Sequence, residues 1–291
     1  MQQDIQRRFV FRGNAVVFGG RIYRPEGIVL ATHGSSALPA VGGQSTARVD
    51  RAQFKDLVSI EGGFADVEGL FDDQEKALEM SLRKVREDSL ATHTVARVSV
   101  DGIVVGAKKR VTIGHISARM HAASAPGRHQ PSFTFPKEFG NTRGEPSDLV
   151  IRDMVVDGKP VDVIFDPERF NADLGSFDKL KTRARSKTFR AEHAALVASM
   201  GDATRIGRGQ VVLLKVLRRF VWPEGRPDTV KEDGNSLIVD DFGTIYFGEM
   251  LVTDQSRRLD MVRMRLGSPE GGDLNFAEVE TNGSWFPPIP P

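Results

Sequence analysis

The chain has 291 residues, of which 40% are hydrophobic, and its 40 Lys and Arg nearly balance 39 Asp and Glu to leave a net charge of +1 at pH 7. That composition excludes a disordered chain, and the near-neutral balance excludes a broad field for nucleic acid or anionic membrane, leaving only local patches for such contacts. The chain has no cysteine, so disulfides and thiolate chemistry are excluded, and no apolar run reaches the roughly 20 residues of a membrane-spanning helix.

The segment from Met1 to Arg8 lacks the apolar stretch of a secretory signal, so the expected location is cytoplasmic, with no membrane insertion. From Arg8 to Tyr23 the pattern reads strand, turn, strand, with Gly13-Asn14 in the opening hairpin. Ile28 to Ala31 reads as a short strand leading into a turn-rich loop, His33-Gly34-Ser35-Ser36, closed by Pro39 and Gly42-Gly43. Phe54 to Phe71 fits either helix or strand, because Phe54, Leu57 and Val58 share a helical face while Gly62-Gly63 interrupts it.

A helix is expected near 72–88, capped by Asp72 or Asp73, with Leu78, Leu82 and Val85 on one face and basic residues in its last turn. Strands follow over Thr92–Val100, Ile103–Ala107 and Arg110–Ala122, with Asp101-Gly102 as the expected turn between the first two. A polar, Gly- and Pro-containing interval from Ser124 to Asp148 marks a boundary between a lobe of residues 1–130 and a lobe of residues 145–291. One compact domain is the alternative.

Beyond it, Leu149–Val156, Asp157-Gly158 and Val161–Phe165 read as a hairpin, and a second short helix is expected near 188–200, ending at Gly201. Gln210 to Trp222 reads as a buried strand, and Leu237 to Leu266 as two or three more. The proline-rich end, Trp285 to Pro291, cannot donate ladder hydrogen bonds. The fold class is therefore mainly β, an antiparallel sandwich or barrel-like set of sheets with two short helices.

Gly-containing strand patterns recur at Phe11–Gly20, Val98–Gly106 and Asp241–Glu249, and Ala118–His121 resembles Val262–Arg265, so the two lobes are candidates for a duplication. The strings Gly19-Gly20-Arg21-Ile22-Tyr23-Arg24-Pro25, Ser35–Gly43 and Phe242–Glu249, with Arg257-Arg258-Leu259 and Leu266-Gly267-Ser268-Pro269, resemble a family of uncharacterised bacterial proteins. The resemblance implies a bacterial source, which 28 Arg against 12 Lys also favours, and it carries no activity and no site.

Period-two alternation along Val111–Ala122 places His115, Ser117, Arg119 and His121 on one strand face. Six residues of extended strand separate His115 from His121 by roughly 20 Å, too far to share one metal ion, and no metal or other cofactor is expected. Arg263 and Arg265 form a comparable polar face, and together with Arg119 they are candidates for an anion-binding or partner-binding surface. Lys179, Lys181, Arg183, Arg185 and Lys187 alternate strictly, with Arg190 beyond. As a strand they would line up five cations about 7 Å apart, suited to phosphates or to an acidic partner such as the Glu61–Glu79 segment of a second copy.

Glu249 shares an expected strand face with Ile245, Phe247 and Leu251, where apolar surroundings would raise its pKa; Glu278 or Glu280 is the candidate second carboxylate, and Arg257 or Arg258 the candidate counter-ion. His33-Gly34-Ser35-Ser36 has the composition of an oxyanion loop, but no Gly-x-Ser-x-Gly elbow, phosphate loop or dinucleotide fingerprint accompanies it. Only 2 Tyr and 2 Trp occur beside 18 Phe, which argues against a carbohydrate platform. The functional expectation is a binding or assembly protein whose partner is itself or another protein, without a cofactor. A hydrolase using Glu249, His115 or His121 is the alternative, and phosphate or nucleic-acid binding through residues 179–190 is a further one.

Overall fold

The computed structural model describes residues 8–73, 90–106, 110–125, 132–134, 149–167, 176–199 and 211–286. The expected helix near 72–88, most of the 124–148 interval and the proline-rich end lie outside these residues. In chain order the strands are β1 (Arg8–Arg24), β2 (Ile28–Ala37), β3 (Gly43–Val49), β4 (Ala52–Phe54), β5 (Val58–Ile60), β6 (Gly62–Phe71), β7 (Thr92–Val105), β8 (Val111–Ser124), β9 (Ser132–Thr134), β10 (Leu149–Val156), β11 (Lys159–Pro160) and β12 (Asp162–Phe165). Three short helices follow, α1 (Phe177–Ala184), α2 (Lys187–Glu192) and α3 (Ala194–Ser199). The chain then continues through β13 (Val212–Lys215), β14 (Leu217–Val221), β15 (Val230–Asp233), β16 (Ser236–Val239), β17 (Gly243–Val252), β18 (Ser256–Leu266) and β19 (Gly271–Phe286).

Two antiparallel sheets stack as a sandwich. The first runs β15-β16-β17-β18-β19-β1-β2, with β13 also pairing β17, and the second is built on β11-β10-β8-β7, extended by β5-β4, β6-β3 and β9. β12 and β14 form a separate pair. Each sheet draws on both halves of the chain: β1 and β2 join the late strands, whereas β10 and β11 join the early ones. Between the layers Phe11, Phe18, Phe247 and Phe276 from the first sheet meet Val100, Ile103, Ile113 and Ile116 from the second, all nearly inaccessible to solvent. Phe18 stacks on Phe276 at 4.9 Å, and burying such a ring contributes about 1.5–3 kcal/mol.

Several expected turns are strand interiors. The opening hairpin is one 17-residue strand, β1, in which Gly13 and Asn14 pair with Thr281 and Glu280. The expected loop at His33–Ser36 lies inside β2, and Asp101-Gly102 lies inside β7, whose hairpin partner β8 begins only at Val111. Gly34 and Gly102, with φ of 60° and 62°, mark places where strands bend rather than where they reverse. Asp157-Gly158 does turn the chain, with φ of 48° and 76° closing Val156 onto Lys159, as a tight hairpin requires.

The bends are aligned. In the first sheet Gly248, Ala277 and Gly34 have φ near 58–60° on β17, β19 and β2. They fall in one transverse row with Met261 and Val17 on the intervening strands, and the pairing register is the same on both sides of that row. In the second sheet Asp153 and Gly102, with φ of 52° and 62°, flank Gly114 in the same way. Because the strands that cross each row bend together, the side-chain alternation slips by one residue without a register slip.

Two consecutive rows of the first sheet then face the core, Phe247, Val262, Phe276 and Phe18 beside Met261, Ala277 and Val17. In the second sheet the inward rows containing Val100 and Ile103 are three residues apart. The doubled rows lie on the inner face of one sheet and the outer face of the other, which is what two stacked layers need to fold in the same sense.

Candidate functional site

The slip in the first sheet sets the geometry of its outer face. Outward rows two residues apart in an ordinary strand are here three apart: Tyr246, Arg263 and Asn275 on one side of the crease, Glu249, Asp260 and Glu278 on the other. Side chains reach across the gap. Arg263 donates to both oxygens of Glu249, Nε to Oε2 at 2.6 Å and Nη2 to Oε1 at 2.8 Å, while its guanidinium lies 4.0 Å from the centre of the Tyr246 ring.

Asn275 Nδ2 donates to Asp260 Oδ1 at 2.8 Å and to Glu278 Oε2 at 3.2 Å. Arg258 Nη2 donates to the same two oxygens, at 3.3 and 2.7 Å. Glu249 is thus answered by Arg263 rather than by Arg257 or Arg258. Burial pushes the Glu278 carboxyl up to about 7, with the Asp260 charge adding to the effect and Arg258 opposing it. For Arg263, burial works against the charge, but the hydrogen bonds and charge of Glu249 outweigh it and raise its pKa.

These rows border a cavity of about 460 Å3, within the range of small-molecule sites. Arg21, Tyr23 and Asp273 complete its polar lining, and Leu196 of α3, Leu213 of β13 and Leu251 supply an apolar rim. Tyr23 donates its hydroxyl to Asp273 at 2.8 Å, and Arg265 faces the same carboxylate at 3.6 Å. Both tyrosines of the chain therefore stand on this one face.

The other candidates are dispersed. His115 bonds Asp101 at 2.6 Å, whereas His121 meets His93 at 3.0 Å on the outer face of the second sheet, and the two sites do not meet. Burial lowers His121 to about 4, with the His93 and Arg119 charges contributing. Among the described residues no group of three or more His, Asp or Glu is placed to hold a metal ion. Arg119 lies on the outer face of the second sheet and Arg263 and Arg265 on that of the first, so they do not share a surface.

The alternating cations predict a strand, but Lys179, Lys181 and Arg183 lie in α1, Arg185 caps it, and Lys187 and Arg190 lie in α2. Ser176 and Ser186 accept from the amides of Lys179 and Phe189 as N-caps, while Phe177, Leu180 and Phe189 are buried at helical spacing. At 3.6 residues per turn the cations spread around the axis instead of forming one line. The expected single helix near 188–200 is two, divided at His193. Of the acidic segment expected to face these cations, Asp66 is buried and accepts from Gln44, Thr46 and Arg97, and Glu68 also faces Arg97.

Asp260, Asn275, Asp273, Tyr23 and Tyr246 escaped the reading of the sequence. A signal for them exists: in β18 polar residues recur at 258 and 260, then at 263 and 265; in β19 they recur at 273 and 275, then at 278 and 280. The same jump of three in neighbouring strands marks the crease.

A family model described as a domain of unknown function (DUF8256) matches residues 9–253. The chain belongs to this family. The match takes in β1 and all of β17, but it ends before β18 and β19, which supply most of the site's cross-strand network. No curated protein and no solved structure matches the chain. Among the described residues no helix is long and apolar enough to cross a membrane.

Proposed function

We propose that this protein is a binding module that recognises a small polar ligand in the cavity on the outer face of the first sheet. One observation carries this reading: the lining carboxylates Glu249 and Asp260 are held by Arg263, Arg258 and Asn275 in a fixed hydrogen-bonded array. A carboxylate gripped through both oxygens by a guanidinium is poorly placed to exchange a proton with a substrate, whereas a prearranged set of donors and acceptors suits recognition. Thermal-shift screening with a broad panel of polar small molecules tests it. A ligand should raise the melting temperature of the wild type and not that of Tyr23→Ala; a panel without effect on the wild type refutes it.

Self-association is part of the proposal, with the protein cytoplasmic. It is supported by the edge position of β2, which among the described residues pairs only with β1, and by the exposure of Val29 within it at 81%. A strict monomer in light scattering at high concentration would remove that part.

A hydrolase is the second reading, favoured by one group. Glu278, its carboxyl pushed up to about 7 by burial, could act as a general acid, although it bonds Arg258 and Asn275 and is not part of the cavity lining. Turnover of chromogenic ester or glycoside substrates that Glu278→Gln abolishes would establish it in place of the first.

A further inference from the structure

We infer that the ligand is a neutral oligosaccharide lying along β19, an inference that rests on the cavity being a recognition site. The charges of the cavity lining cancel, with Arg21, Arg258 and Arg263 against Glu249, Asp260 and Asp273. An ionic ligand would be attracted by half of this array and repelled by the other half. A sugar hydroxyl is both donor and acceptor, so it is served by guanidinium groups, which only donate, standing next to carboxylates, which only accept.

The cavity also has the apolar component that a sugar ring requires. Leu196, Leu213 and Leu251 offer contact to C–H faces, and Tyr23, half exposed at the rim, combines a flat ring with a hydroxyl. The scarcity of Tyr and Trp argued against such a site; Tyr23 supplies its one exposed ring, while Tyr246, buried under the Arg263 guanidinium, holds that guanidinium in place.

A second cavity of about 230 Å3 extends the site on the same outer face. It is lined by Arg12 and Asn14 of β1 and by Glu280 and Asn282 of β19, with Leu38 beside them. Asn282 is 8% exposed, and its Oδ1 has no hydrogen-bond partner among the described residues. From Asn275 in the first cavity to Asn282 in the second is seven residues, or ~23 Å at about 3.3 Å per residue. That length suits a chain of several sugar units rather than a monosaccharide.

The test is calorimetric titration of the full-length protein with neutral hexasaccharides and disaccharides of glucose, N-acetylglucosamine and xylose, alongside uronic-acid and amino-sugar counterparts. At least one neutral hexasaccharide should bind, and Tyr23→Ala and Arg21→Ala, both exposed positions, should each weaken it about tenfold while circular dichroism stays unchanged. Asn14→Ala should weaken the hexasaccharide and leave the matching disaccharide unaffected. Binding of the charged sugars alone, still lost in Tyr23→Ala, would overturn the neutral-saccharide inference and leave the recognition site standing. Hexasaccharide binding indifferent to Asn14→Ala would overturn the extended site. Absence of any binding, together with a silent thermal-shift panel, would overturn both.

Discussion

Replacing Glu278 by Gln tests the electrostatics of the crease directly. The carboxyl sits at about 7 in the folded protein against an ordinary value of 4.5, because burial and the neighbouring Asp260 both disfavour its charge. Between those two pH values the unfolded chain has released this proton and the folded chain still holds it. Raising the pH therefore opposes folding: the contribution is fully present below about 4.5 and is lost as the pH passes through about 7. At 1.36 kcal/mol per pH unit the full loss is ~3 kcal/mol.

Gln at this position is neutral at every pH and can still accept from Arg258 and donate to Asp260, so the variant should escape the loss. Urea unfolding of both proteins between pH 4.5 and 7.5 is the assay. The stability of Glu278→Gln relative to wild type should climb by up to ~3 kcal/mol across that range, the other titrating groups cancelling in the difference. A difference independent of pH, or one falling as pH rises, would refute the account of a carboxyl desolvated beside Asp260.

Arg263→Ala removes two hydrogen bonds from Glu249, which is 4% exposed, and should destabilise the protein by about 3–5 kcal/mol in denaturant titrations; Arg263→Met combined with Glu249→Leu should recover most of this. His121 behaves oppositely to Glu278. Its folded pKa of about 4 lies below the ordinary 6.5, so its contribution grows as pH rises from about 4 to 6.5, and a series of unfolding curves should lose that gain in His121→Gln. In Gly63→Ala the added methyl would lie 2.5 Å from a Val17 methyl and 2.7 Å from the Ser99 carbonyl oxygen, an overpacking that should cost about 1–3 kcal/mol and lower the melting temperature, with partial rescue by Val17→Ala.

The sequence by itself determined that the protein is β-rich. Alternation in stretches such as Thr92–Val100 and Val262–Leu266 is local, and it follows from the two-residue repeat of a strand whatever the partner. It also determined the Asp157-Gly158 turn, which depends on residues next to one another, whereas the face shared by Glu249 with Ile245 and Phe247 in the sequence is undone by the bend at Gly248, which turns Glu249 outward.

What the tertiary structure decided were the choices that local chemistry leaves equal. Asp101-Gly102 is as good a hairpin turn as Asp157-Gly158 by composition, but pairing of β7 with β8 on both sides of it makes it a bend within one strand instead of a reversal. Residues 179–187 alternate like a strand, yet burial of Phe177 and Leu180 and the cap at Ser176 give the chain more as a helix. The site itself exists only in the sheet. Glu249, Asp260 and Glu278 lie 11 and 18 residues apart in sequence and become neighbours solely because three strands bend at one row. A bend that preserves register demands the same slip in every strand, and a single strand read alone cannot reveal that its neighbours share it.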